Sequence, residues 1–258
     1  MPSAIGLSSV DLLCIAPAAV AAGFVNAIAG GGSLISFPVL TAVGLPPVMA
    51  SITNTVALLP GYGGAAFAQR RDLRGQRHRL TVLVPAAAIG GLLGGVLLLN
   101  SGEKLFGALV PWLILLGSVL LALQDSLRCW LLTHPQAQQR DRLELLAAGP
   151  VLVASIYGGY FGAGLSVILL AVLAVLLSGS LTRLNGLKQA LALVVNLAAA
   201  LLFLPSGQLH WGAAVVMAVG ALAGGALGGR LASRINPARL RAVVVLLGVA
   251  VAIVFFLR

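Results

Sequence analysis

The residues able to handle a solute are concentrated in three places. The first is Asn26-Ala-Ile-Ala-Gly30-Gly31-Gly32-Ser33. Glycine lets the backbone bend sharply and leaves its amides uncovered. Ser33 is expected to cap the short helix that follows. Free N–H groups at the positive end of a helix favour an anion, and Asn26 adds a polar side chain ahead of the break. The same pattern also serves as a plain capped turn. A phosphate loop does not fit, because no Gly-Lys-Ser/Thr follows. The second place is Tyr157-Gly158-Gly159-Tyr160-Phe161-Gly162-Ala163-Gly164-Leu165-Ser166. Its glycines repeat the break, and its tyrosines can donate hydrogen bonds or, Tyr160 above all, anchor at an interface.

The third is a set of polar residues inside otherwise apolar runs: Thr53, Asn54 and Thr55 in one, and Asn185, Lys188, Gln189 and Asn196 in another. The latter four share one helical face with Ala192, by i, i+3/i+4 spacing. Lys188 is the one cation well inside an apolar stretch. It either attracts an anion or snorkels to the surface from one turn inside the helix. Asn196 lies deeper and is the stronger candidate for a polar site.

The absences narrow the chemistry. The acids Asp11, Asp72, Glu103, Asp125, Asp141 and Glu144 all sit at or near the ends of apolar runs, and His78, His134 and His210 lie in loops or at helix ends. A proton relay through an intramembrane carboxylate is therefore not expected. No nucleophile–base pair or metal-ligand cluster is visible, so the chain does not read as an enzyme, and neither a cofactor nor a metal is implied.

The elements that must hold these residues are set by composition. Hydrophobic residues make up 60% of the chain and charged residues 9%, against about a quarter charged in a soluble domain. A single core cannot hide that much apolar surface, so the expected solvent is lipid. The net charge of +10 is gathered in three stretches, Arg70–Arg79, Arg128–Arg142 and Arg230–Arg241. That pattern belongs to loops facing anionic lipid and the cytoplasm rather than to a nucleic-acid surface. Cys14 lies in an apolar run and Cys129 in what reads as a polar loop, without the pattern of a disulfide or metal site. Residues 1–9 hold no Lys or Arg, so the first apolar run is expected to stay in the mature protein.

Runs of about 20 residues, enough to span a bilayer, fall near 10–29, 46–69, 80–99, 105–123, 144–162, 183–204, 210–229 and 239–257. Two shorter ones, 34–43 and 165–177, each follow a glycine break. The chain thus divides into a first transmembrane repeat (1–123), a cytoplasmic linker loop (124–143) and a second transmembrane repeat (144–258). Gly90-Gly91-x-x-Gly94-Gly95 in the first corresponds to Gly224-Gly225-x-x-Gly228-Gly229 in the second, a spacing that lets helix backbones approach closely in lipid. Such glycine faces also suit assembly into a homo-oligomer.

Loop charge gives the relative orientation. The loop at 70–79 carries five Arg, whereas its counterpart 205–209 carries no charge; loop 100–104 is neutral, whereas its counterpart 230–241 carries four Arg. Equivalent loops then lie on opposite sides, and the repeats are inverted. The expected fold is an all-α integral membrane protein of two inverted repeats, each with long transmembrane helices and a short re-entrant or return helix, and with both termini outside.

The stretch from Gly23-Phe-Val-Asn26 through Gly-Gly-Gly-Ser33-Leu-Ile-Ser-Phe-Pro38, followed by Leu45-Pro-Pro and Thr53-Asn54, resembles the N-terminal signature of the sulfite exporter TauE/SafE family. Phe161-Gly-Ala-Gly-Leu-Ser166 and Leu184-Asn-Gly-Leu-Lys188-Gln-Ala resemble that family's repeated motif, whose common form is closer to Asn-Ala-Leu-Lys-Asn; Gly186 and Gln189 depart from it. The resemblance implies a multi-pass permease of the bacterial inner membrane that moves sulfite, sulfonates or other small organic anions, often outward. The substrate-binding candidates are Asn26, Gly31, Gly32, Ser33, Asn54, Gly164, Ser166, Lys188 and Asn196. A negative-inside potential expels a monoanion with about 2.3 kcal/mol per 100 mV, so export needs no coupling ion. Two other readings compete: a channel-like pathway for another small solute, and a non-transporting membrane subunit.

Overall fold

The computed structural model describes residues 6–133, 144–231 and 234–257, and no strand occurs among them. The helices are α1 (Ser9–Ile28), α2 (Ser33–Ala42), α3 (Pro47–Ala68), α4 (Arg77–Thr133), α5 (Glu144–Tyr160), α6 (Leu165–Leu176), α7 (Leu181–Phe203), α8 (Trp211–Leu231) and α9 (Pro237–Phe256). Local signals start several of them. Ser8 and Asp11 form a reciprocal capping box at α1, Pro47 occupies the first turn of α3, and Ser180 and Asn236 cap α7 and α9 through their side chains.

Helix α4 is two spans in one: Gly102 leaves helical geometry (φ 67°, ψ 161°) and turns the chain back on itself. We call residues 77–101 its first limb and 103–133 its second. Five helices among the described residues are long and apolar enough to cross a bilayer: α1, α4, α7 (with the 3-10 turn after it), α8 and α9. Helix α3 matches them in length, at 22 residues. It is more polar because it buries Ser51, Thr53, Asn54 and Thr55 inside the protein.

Four sequence expectations change. The run 144–162 is a helix of 17 residues ending at Tyr160, about 25 Å long, and the glycines after it turn the chain into α6. The segment 124–143 is not loop throughout: α4 stays helical to Thr133, because no Gly or Pro interrupts Gln124–Thr133 before Pro135. Cys129 therefore sits on α4, and both it and Cys14 are exposed and outside any disulfide. Residues 134–143 of the linker, with His134 and Asp141, lie outside the described residues. The last change concerns Ser33 and is taken up with the site.

Contacts between the ends of helices fix which loops lie together. Arg241 of α9 pairs with Asp125 of the second limb of α4. Gln69 after α3 accepts a 2.7 Å hydrogen bond from Asn185 of α7. The arginines of 70–79 and of 230–241 therefore gather at one end, called here the basic end. At the opposite end Val48 N–H donates to Glu103 (2.9 Å) beside the Gly102 turn, and His210 N–H donates to Thr53 Oγ1 (3.2 Å).

The glycine-rich helices clasp partners far away in sequence. Gly220, Gly224 and Gly228 of α8 bear on the backbone of α1 from Ala16 to Ala27, running the same way. Gly90 and Gly94 on the first limb of α4 bear on α5 from Leu152 to Tyr160, again in parallel. Added Cβ atoms at these glycines would meet backbone atoms, so the packing role expected of the spacing holds.

Candidate functional site

The two glycine breaks lie side by side. Gly31 faces Leu121 on the second limb of α4, while Gly164 faces Leu120 and Gly117 one turn away. Leu34 of α2 and Ala163 of the second break both touch Gly117, and the rings of Phe37 and Phe161 meet edge to face at 5.3 Å. The contact between the breaks is thus apolar.

In the first break α1 ends at Ile28, Gly30 and Gly31 take positive φ, and Gly32 already has helical angles (φ −53°, ψ −31°) as the cap of α2. Ser33 is consequently the first helical residue and makes no capping bond. This corrects the expected serine cap: a helical Gly32 moves the helix start one residue ahead of where Ser33 could cap it. Among the described residues nothing accepts from the N–H groups of Gly31, Gly32 and Ser33. They point from the positive end of α2, the arrangement that favours an anion. Sequence reasoning passed over Ser36. Its buried hydroxyl lies 2.5 Å from Asn54 Oδ1 and 3.2 Å from the Gly32 carbonyl, and so ties the break to α3. The signal was present as a hydroxyl one turn into an apolar helix. Asn26, in the last turn of α1, has its Cβ close to Gly32.

In the second break Gly164 caps α6 with φ +79°, and nothing among the described residues accepts from the N–H groups of Ala163, Gly164 and Ser166. Tyr157 donates its hydroxyl to the Ala163 carbonyl at 2.6 Å, closing the turn. Tyr160 hydrogen-bonds Ser101 at 3.0 Å. A cavity of about 420 Å³ lies between α5 and the first limb of α4, lined by Leu97, Ser101, Val153, Ile156, Tyr157 and Tyr160; it is an open apolar groove that includes none of the nine candidate residues.

Helices α3 and α7 run antiparallel, joined by Gln69–Asn185 near one end. Asn196 is 4% exposed and donates to the Ala192 carbonyl at 2.7 Å, leaving its Oδ1 unengaged. Lys188 is 9% exposed, and no hydrogen bond or ion pair engages its ammonium among the described residues. With Gln69–Asn185 as the register, Asn54 stands level with Ala200. That puts it about 6 Å along the axis from Asn196 and about 18 Å from Lys188. The structure therefore brings Asn26, Gly32 and Asn54 into one neighbourhood through Ser36, and places Asn196 and Lys188 at successive levels toward the basic end. One small anion cannot touch Asn54 and Lys188 together.

A sequence profile of the sulfite exporter TauE/SafE family matches residues 15–255. A probable membrane transporter protein of Haemophilus influenzae is 30% identical over 236 residues, covering 88% of this chain and 87% of that protein. The probable membrane transporter protein YfcA of Escherichia coli K12 is 26% identical over 83% of this chain and 77% of its own length. The probable membrane transporter protein ORF9 of a Sinorhizobium species is 26% identical over 92% of this chain and 88% of its own. No solved structure gives a significant match. With apolar helices long enough to cross a bilayer, two glycine breaks set side by side and a match that runs from α1 to α9, this chain is a multi-pass membrane protein of the sulfite exporter TauE/SafE family.

Proposed function

We propose that the chain exports sulfite, organosulfonates or related small organic anions across the bacterial inner membrane, with Lys188 as the charge that admits them. The observation that carries this reading is Lys188 itself, a lysine only 9% exposed whose ammonium has no carboxylate or hydrogen-bond partner among the described residues. An uncompensated charge in a protein interior is costly, and an anionic solute is the counter-charge that offsets it. The solute passes from Lys188 at the basic end to Asn196 and then to the neighbourhood of Asn54 and the first break, whose free amides receive it in turn. Gly164, Ser166, Gly31, Gly32 and Ser33 serve through their backbone.

The basic end is the cytoplasmic one, by the positive-inside rule. The two halves act as inverted repeats. Supporting this are the gathering of both halves' arginine stretches at one end and the reciprocal clasp of α8 on α1 and of the first limb of α4 on α5.

Thermal unfolding of the purified protein with sulfite, sulfoacetate, sulfolactate and simple carboxylates tests the reading, since a ligand of the folded state raises its melting temperature. Wild type should be stabilised by at least one anion class and the Lys188→Met variant by none. Equal stabilisation of both would remove Lys188 from the mechanism. Flux into vesicles under an imposed potential, and separately under a pH gradient, tests the driving force; flux indifferent to potential would end electrogenic export.

A further inference from the structure

Directly above Lys188, at the basic end, residues 69–79 of the first half are bolted onto residues 178–186 of the second. Gln76 is 2% exposed, and its Nε2 donates to the Asp72 carbonyl (2.8 Å) within its own loop and to the Arg183 carbonyl (3.0 Å) across the halves. Arg183 returns a bond from Nη2 to the Arg74 carbonyl at 3.1 Å. Arg79 Nη2 donates to Ser178 Oγ at 3.2 Å, and Asn185 Nδ2 donates to Gln69 Oε1 at 2.7 Å. At Gly186 an added Cβ would lie 2.9 Å from the Asp72 Cβ, so the loop rests on the helix at the one residue without a side chain.

Four of these bonds cross between the halves within one short segment. The opposite end carries the Val48–Glu103 and His210–Thr53 bonds and an aromatic cluster in which Phe37 meets Phe106, Phe161 and Phe255, and Phe106 meets Tyr160. The helix pairs in the middle are locked by glycine–backbone contacts that cannot slide without steric clash. The bonds at the basic end are polar and part-buried or exposed, and can exchange protein partners for water at a small net cost per bond. Lys188 follows Asn185 by three residues on the same helical face, immediately behind this contact.

We infer that the loop 69–76, with the first turn of α4, is the basic-end gate of the path. Gln76 is its hinge pin, Gln69–Asn185 and Arg183–Arg74 are its latches, and the conformation seen here is the one in which it is shut. The inference rests on the transport reading for its purpose, but the gate can be tested without any substrate.

The test uses the full chain with Cys14→Ser and Cys129→Ser, and Ala192→Cys as the reporter. Ala192 is fully buried and lies one turn beyond Lys188 on the same face. A membrane-impermeant thiol reagent is added to vesicles from the arginine-rich side. The reporter should be protected when the gate is intact. It should react about tenfold faster in the Gln76→Ala, Asn185→Ala double variant, since removing several modest hydrogen bonds shifts the opening equilibrium by about that factor. Equal protection in a double variant that still unfolds cooperatively would overturn the gate. In a second arm, Gln69→Cys with Asn185→Cys is oxidised to close the latch covalently. Flux should stop and return with reductant; undiminished flux through the oxidised protein would also overturn it. If wild type carries no anion at all, the transport reading fails while the labelling arm still decides whether the loop opens.

Discussion

Gly32 and Gly164 hold the same post in the two halves, as caps of α2 and α6, and are glycine for opposite reasons. Gly32 has ordinary helical angles, but a Cβ there would run into the carbonyl oxygen of Ala22. At Gly164 a Cβ would press only moderately, on the Leu120 side chain at 3.3 Å and the Gly117 Cα at 3.4 Å, but its φ of +79° is one that L residues rarely adopt. At the cap position the first break is limited by space and the second mainly by conformation. The flanking chemistry differs too. The first break is tied to α3 by the neutral Ser36–Asn54 bond, whereas the second is latched on itself by Tyr157, in the half whose α7 carries the buried Lys188. A duplicated backbone plan has thus been given one half that shapes a turn and another that supplies charge.

The difference in charge is the most consequential to break. Lys188→Met should lower anion flux by about 30-fold or more, the effect expected when one partner of a buried charge pair is removed. Asn54→Ala should cost far less, and a transport assay on matched amounts of protein compares the two. If Asn54→Ala is the more damaging, the division of roles is reversed.

The difference between the glycines comes next. Gly32→Ala should destabilise by about 1–3 kcal/mol through overpacking against backbone, and no small side chain should rescue it. Gly164→Ala should cost about 1–2 kcal/mol for the left-handed conformation, and Gly164→Asn should recover much of that, because Asn visits this region readily. Thermal unfolding in one detergent measures all three. An asparagine tolerated at position 32 but not at 164 would refute the assignment.

The bonds that tie each break complete the comparison, and the smallest effect is at Tyr157. Ser36→Ala leaves Asn54 Oδ1 buried without its donor and should cost about 1–3 kcal/mol. Tyr157→Phe removes one bond to a carbonyl next to a groove and should cost about 0.5–1.5 kcal/mol. Unfolding midpoints that rank these two the other way would show the second turn to be the more tightly held.

Much of the fold could be read from residue patterns. Nearly every apolar run became a helix close to its expected bounds, and both glycine breaks turn the chain, because run length and glycine position are local properties. The site was legible at the level of motif and less so in its assembly. Ser33 reads as a cap until the angles of Gly32 are known, and the helix past Leu123 reads as loop because its residues turn polar, although polar residues without Gly or Pro continue a helix well. Contacts such as Gln76–Arg183 and Phe37–Phe161 join segments more than a hundred residues apart, and no period within either segment announces them. The separation of Asn54 from Lys188 along the α3–α7 pair is of the same kind: each lies on a recognisable helix, but their relative level depends on the register between the two.

The clasp of α8 on α1 bears on how the chain is made. Helix α1 is synthesised before the other helices described here, yet the backbone surface it needs is carried by residues 211–231, which follow only after α2 to α7. The first limb of α4, by contrast, meets α5 soon after both are inserted. Helix α1 must therefore wait in lipid, with only α2 and α3 beside it, until α4 to α7 have been threaded, and truncation anywhere before α8 leaves it without that partner.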